Sequence, residues 1–193
     1  MGKMSNIILL GLVSFFTDIS TEMVYPILPL YLTAVMGAGP ATIGIIEGIA
    51  ESLASIIKLF SGIISDRYGN KKRLAFIGYA SSTINKIIIL FSTTWTGVLL
   101  ARIIDRFGKG IRTAPRDAMI AESAGKSMLG KAYGLHKGLD LGGTAIGILL
   151  AWFILSTGDN EYKKIFLYSL IPAFIGLGVL FLVKDKKQVS TGK

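Results

Sequence analysis

The sequence predicts an all-α membrane protein with six transmembrane helices, and three observations carry that expectation. Hydrophobic residues make up 51% of the 193 and charged residues only 17%, whereas soluble domains carry about 25% charged residues. Mean hydropathy is +0.59. Mostly apolar stretches of the roughly 20 residues needed to cross a hydrocarbon core recur along the whole chain, separated by turn-like breaks. A soluble enzyme, a disordered chain and a secreted disulfide scaffold are excluded. With no Cys and one His, thiolate metal centres and Fe–S clusters are excluded as well, and neither a metal nor a cofactor is expected.

The spans read 6–36, 41–65, 73–93, 95–121, 130–156 and 164–183. Gly37-Ala38-Gly39-Pro40 ends the first, and Asp66 through Lys72 separates the second from the third. Ser92-Thr93-Thr94, Ser123 through Ser127 and Gly158 through Glu161 make the remaining breaks. The first, fourth and fifth exceed the minimum length and should tilt or bend. Pro26 and Pro29 give a cause for bending the first, and Pro172 one for kinking the sixth. Asp18 and Glu22 interrupt the first apolar run and no small-residue cleavage site follows it, so it reads as a retained helix rather than a signal peptide. Residues 1–187 thus form one membrane domain, followed by a tail at 188–193.

Orientation follows from the loop cations. With the N-terminus inside, twelve Lys and Arg face the cytoplasm (Lys3, Arg67, Lys71, Lys72, Arg73, Arg116, Lys126, Lys131, Lys184, Lys186, Lys187, Lys193), against Lys163 and Lys164 outside. Both termini are then cytoplasmic in a plasma membrane. The formal charge of +9 is topological, and no nucleic-acid partner is expected.

Thirteen charged residues remain inside the spans: Lys58, Lys86, Arg102, Arg106, Lys109, Arg112, Lys137, Asp18, Glu22, Glu47, Glu51, Asp105 and Asp140. Each costs about 2.5–3.5 kcal/mol at a helix centre, so they must face one another or a wet cavity. Asp18 and Glu22 are four apart, as are Glu47 and Glu51. Arg102, Asp105, Lys109, Arg112 and Arg116 form a stripe, and His136 and Asp140 are again four apart. Asp18, Glu22, Arg102, Asp105, Arg106, His136 and Asp140 are the candidates for a substrate or proton pathway. For Lys58, Lys86 and Lys137, snorkelling or structural pairing is the competing reading. Gly134, Gly138 and Gly142, in a four-residue series begun by Gly130 and joined by Gly143 and Gly147, predict close helix packing, either within the six helices or against another set. Gly125-Lys126-Ser127 lacks the upstream Gly of a phosphate-binding loop, and neither H-E-x-x-H nor G-x-S-x-G occurs. No catalytic residue is expected.

Residues 62–73 read GIISDRYGNKKR. This stretch resembles the signature G-x-x-x-D-R/K-x-G-x-R/K-R/K of the major facilitator superfamily, with Gly62, Asp66, Arg67, Gly69, Lys71 and Lys72 in place between the second and third spans. RIIDRFGKGIRTAPRDA at 102–118 resembles the family's fourth-helix motif through Arg102, Gly108 and Gly110, with Arg106 where Gly is usual. Gly138, Gly142 and Gly147 partly resemble the antiporter motif, whose Pro is replaced by Gly143. The resemblance covers essentially the whole chain and implies the N-terminal half of a twelve-helix carrier, made of two inverted three-helix repeats with its site between halves near midplane. It further implies that the first and fourth helices line a cavity and that Asp66 acts in gating.

The expected function is secondary transport of a small molecule or ion by alternating access, coupled to protons. The charged face calls for a second six-helix half, supplied by a homodimer or by a longer chain. A non-transporting remnant that only associates with membrane partners is the alternative.

Overall fold

A computed structural model describes residues 3–68, 70–158 and 162–184; the tail expected at 188–193 lies outside them. Among the described residues the elements are α1 (Lys3–Val24), α2 (Leu28–Ala34), α3 (Pro40–Tyr68), α4 (Lys71–Phe91), α5 (Trp95–Ala124), a 3-10 turn (Lys126–Met128), α6 (Leu129–Ser156) and α7 (Tyr162–Leu182), with no strand.

The chemistry at the breaks explains their positions. Pro26 lacks the N–H that would continue α1, and the first expected span divides there, with Pro29 in the opening turn of α2. Gly37 and Gly125 adopt positive φ, +64° and +69°, just beyond the ends of α2 and α5. Asn70 caps α4 by accepting from the Arg73 N–H at 3.1 Å, and Thr94 caps α5 by accepting from Gly97 N–H at 3.4 Å. The expected break at 66–72 is correspondingly shorter. α3 runs to Tyr68, and Lys71 and Lys72 open α4 instead of lying in a loop. α7 continues through Pro172.

Among the described residues, four segments are long and apolar enough to cross a membrane: Met4–Ala34, Lys71–Phe91, Lys126–Ser156 and Tyr162–Leu182. α3 and α5, with 29 and 30 residues, have the length at 1.5 Å per residue. α5 misses the apolarity because it carries a charged face, Arg102 through Arg116.

α1, α5, α4 and α7 close a ring in which each packs on the next; α3 flanks the ring on α5, and α6 flanks it on α1. Named contacts give the relative directions. Glu47 pairs with Arg102 and Glu51 with Arg106, so α3 and α5 run parallel. Gly143 abuts Phe15 and Gly147 abuts Ile19, so α1 and α6 also run parallel. Gly78 opposite Arg112 and Ser82 opposite Asp105 make α4 and α5 antiparallel. Gly176 beside Val13 and Ser169 beside Ser20 do the same for α1 and α7.

The interior is layered along the helix axes. One apolar cluster gathers Met23, Val24, Leu28, Tyr31, Ile89, Val98 and Phe166. The other gathers Ile7, Leu10, Ala75, Tyr79, Met119 and Leu180. On α1, α4 and α5 the residues between the two are buried and polar: Ser14, Thr17, Ser20, Thr21, Ser82, Thr83, Asn85, Lys86, Arg102, Asp105, Arg106 and Arg112. A polar belt between apolar ends places the charges where lipid would tolerate them least, and protein covers them instead.

Candidate functional site

The belt is organised around Tyr25, which follows the end of α1. The guanidinium carbons of Arg102 and Arg106, one turn apart on α5, stack over its ring at 4.1 and 4.7 Å. Its hydroxyl donates to Asp105. Asp105, 2% exposed, also accepts from Ser82 Oγ at 2.5 Å, and Arg106 Nε lies 3.3 Å away. From α3, Glu47 pairs with Arg102 and Glu51 with Arg106, the second pair at 3.2 Å. Arg112 donates to Ser82 Oγ at 2.8 Å and stands 4.5 Å from the Tyr79 ring. Lys86, fully buried, reaches the Ser82 carbonyl at 3.0 Å and Thr21 Oγ1 at 3.4 Å. The Arg102 Nε and Nη1 atoms and both amide atoms of Asn85 are buried without a hydrogen-bond partner, an unusual state for buried polar groups.

Beside the belt a cleft of about 500 Å³ opens between α1 and α6 on one side and α3 and α5 on the other. Asp18, Glu22, Lys137 and Asp140 line the first wall; Glu51, Lys58, Lys109, Arg112 and Arg116 line the second. Asp18 and Asp140 face each other within hydrogen-bonding reach. Lys137 Nζ holds Asp140 Oδ2 at 2.9 Å, and Arg116 pairs with Asp117 at 3.0 Å.

Of the seven pathway candidates, Asp18, Glu22 and Asp140 come together on the cleft wall. Arg102, Asp105 and Arg106 come together in the buried belt, joined to the cleft through Glu51. His136 is apart from both: it is 5% exposed, and its Nε2 lies 3.0 Å from Ser14 Oγ, which in turn lies 3.1 Å from Tyr79 OH. Of the gating motif, Lys71 is buried against Glu122, Lys72 Nζ donates to the carbonyls of Phe181 and Val183 at 2.8 and 2.6 Å, and Gly62 has open space where a Cβ would stand. Gly69 and the side chains of Asp66 and Arg67 lie outside what is described. Within this chain the glycine packing falls to Gly143 and Gly147. A Cβ on Gly134 or Gly138 would meet nothing within 4 Å, and one on Gly142 would make an ordinary 3.7 Å contact with Phe15.

Four contributors stand outside the pathway candidates that the sequence offered. Glu47 and Glu51 were detectable, because their four-residue spacing matches that of Arg102 and Arg106. Lys109 was visible as part of the stripe. Tyr25 had no signal, since an aromatic residue beside a proline in an apolar span is indistinguishable from packing.

The profile of the Major Facilitator Superfamily matches residues 10–193. The chain belongs to the major facilitator superfamily. An "Uncharacterized MFS-type transporter" of Methanocaldococcus jannaschii is 36% identical over 188 residues, 97% of this chain and 47% of that protein. The "Probable 4-methylmuconolactone transporter" of Cupriavidus pinatubonensis is 29% identical over 81% of this chain and 37% of its own length. The "Multidrug resistance protein MdtH" of Blochmanniella pennsylvanica is 24% identical over 84% of this chain and 39% of its own. The chain spans about half, or less, of the length of these superfamily relatives. Family and apolar helices together make it an integral membrane protein of all-α architecture.

Proposed function

We propose that the chain is one six-helix half of a secondary transporter that moves a small solute by alternating access. The observation that carries this reading is the cleft, into which Asp18, Glu22, Lys58, Lys109 and Asp140 project from four different helices. Charges gathered in this way solvate a polar solute inside a membrane and have no role at a lipid-facing surface. Length and alternation of direction support six crossings, with α1 and α2 sharing the first. Exchanging α1, α3 and α4 for α5, α6 and α7 maps each principal packed pair onto another such pair and reverses every direction, as two inverted three-helix repeats require.

In this reading both termini lie on the cytoplasmic side of the plasma membrane, and residues 1–187 act as one domain. The open side of the cleft faces a second six-helix half, from another copy or from a longer chain. Asp18 and Asp140 exchange the coupled proton, for which two facing carboxyl groups are suited because only one can carry charge comfortably. Arg102, Asp105 and Arg106 set the electrostatics of the wall, and Asp66 works the gate. Counterflow in proteoliposomes tests the proposal: saturable exchange that is lost in Asp18→Asn and Arg102→Ala is expected. Vesicles containing folded protein but showing no exchange would leave the remnant reading in its place.

A further inference from the structure

The charge lining the cleft is divided by wall. α1 and α6 contribute Asp18, Glu22 and Asp140, and α3 and α5 contribute Lys58, Lys109, Arg112 and Arg116. Each wall has one exception, and each exception is already neutralised on its own side: Lys137 by Asp140 at 2.9 Å, and Glu51 by Arg106 at 3.2 Å. Among the described residues no ion pair crosses from one wall to the other. Asp140 is taken up by Lys137, Arg112 by Ser82 and the Tyr79 ring, and Arg116 by Asp117. Glu22 on one wall, beside the Asp18–Asp140 pair, and Lys58 and Lys109 on the other therefore make no ion pair among the described residues.

Opposed rows of opposite charge that do not reach each other leave each group without a charged partner, and a ligand that spans the gap gains a charge-assisted contact at both ends. A simple anion satisfies the lysines and leaves the carboxylates facing it; a simple cation does the reverse. A molecule carrying both charges satisfies both walls at once, and a volume of about 500 Å³ falls in the range of small-ligand pockets. We infer that the cleft binds a small zwitterion, its ammonium group toward Glu22 and the adjoining Asp18–Asp140 pair and its carboxylate or phosphate toward Lys58 and Lys109. The inference rests on the transport reading only in taking this cleft as the solute's place. The same chemistry is offered by free amino-acid-like solutes and by the headgroup of a zwitterionic phospholipid.

The test is a thermal-shift titration of the full chain in non-ionic detergent, which needs no turnover. The probes are glycine, 4-aminobutanoate and lysophosphatidylethanolamine, set against the half-molecules acetate, butanoate, methylammonium and butylammonium. At least one zwitterion is expected to bind tenfold or more tightly than its matching half-molecules. Glu22→Gln and Lys58→Gln should each weaken it about tenfold, or about 1.4 kcal/mol, as expected for loss of one charge-assisted hydrogen bond. Glu22→Gln should narrow the gap to the anion, and Lys58→Gln the gap to the cation. Lys58 is exposed on α3, so its variant keeps the test usable if Glu22→Gln does not fold. Preference for lysophosphatidylethanolamine with the same dependence on both residues assigns the site to a lipid headgroup. Preference for glycine or 4-aminobutanoate assigns it to a soluble solute. A half-molecule binding as tightly as every zwitterion, or no zwitterion binding, overturns the inference. Counterflow of another solute with no zwitterion binding sinks this inference and leaves transport standing; zwitterion binding without counterflow does the opposite.

Discussion

Replacing Gly147 by Ala tests whether the register of α1 on α6 is the one described. A Cβ at Gly147 would stand 2.6 Å from the Ile19 carbonyl oxygen and 3.0 Å from Glu22 Cβ. The obstacle is backbone, which cannot rotate aside as a side chain can, so the two helices must separate. Overpacking costs about 1–3 kcal/mol, and the fixed carbonyl puts this site near the upper end. The better helix propensity of Ala returns about 1 kcal/mol, leaving a net loss of about 2 kcal/mol. Gly138→Ala gains the same propensity and meets nothing within 4 Å, so it should be neutral or slightly stabilising. Thermal unfolding of the chain in mild detergent separates the two: a fall of about 4–8 °C for Gly147→Ala, and no fall for Gly138→Ala. Equal destabilisation by both would refute the register, because it would mean that the Gly134–Gly138 line packs inside the bundle.

Three further outcomes follow from the belt and its surroundings. Tyr25→Phe keeps the ring under Arg102 and Arg106 but removes a donor to buried Asp105, and should lower stability by about 1–2 kcal/mol; Tyr25→Leu should lose about 1–2 kcal/mol more with the stacking, both read by thermal unfolding. At the Lys71–Glu122 pair, Lys71 is 4% exposed and Glu122 is more open, so the two halves are not equivalent. Glu122→Gln strands a buried ammonium and should cost about 3 kcal/mol, more than Lys71→Met, measured by the same unfolding assay. Glu51→Gln should leave folding intact and lower counterflow, since Glu51 pairs with Arg106 while lining the cleft.

Much of the architecture was legible because lipid imposes strict rules on sequence. Each expected span lies within three residues of a helix end at both ends, apart from the proline break at 25–27, since charge, proline and capping residues mark where apolar helices stop. The burial of Arg102, Asp105 and Arg106 was legible on the same ground. The glycine register was not. A four-residue repeat drifts around a helix of 3.6 residues per turn, so the row from Gly130 to Gly142 and the pair Gly143 and Gly147 lie on neighbouring lines. A small residue looks the same on either line, and only the position of Phe15 and Ile19 shows which line meets α1. The extent of α3 was missed for a related reason: Asp66-Arg67-Tyr68 is polar enough to read as a loop, yet α3 continues through Tyr68.

The helix directions carry a consequence for how the charges are used. α3 and α5 run parallel, and their Glu47–Arg102 and Glu51–Arg106 contacts form two rungs with identical spacing. Glu51 is the more exposed of the two acids and belongs to the cleft wall, whereas Arg102 and Arg106 are buried and belong to the belt. A movement of α3 relative to α5 therefore changes the charge of the cleft and the pairing of the arginines together. α1 and α6 are the counterpart pair, also parallel, joined by the close backbone approach at Gly143 and Gly147 and not by ion pairs. Close backbone packing resists sliding, while side-chain ion pairs can stretch or exchange. The α3–α5 seam also has a close contact, at Gly110, but against the Ile57 side chain and with the Ala54 carbonyl 3.3 Å from a Cβ there, looser than the 2.4 and 2.6 Å backbone approaches at Gly143 and Gly147. Disrupting its rungs by Glu47→Gln with Glu51→Gln should therefore raise hydrogen exchange in α3 before it does so in α6. Faster exchange in α6 first would show that the glycine seam, not the ion-pair seam, is the one that yields.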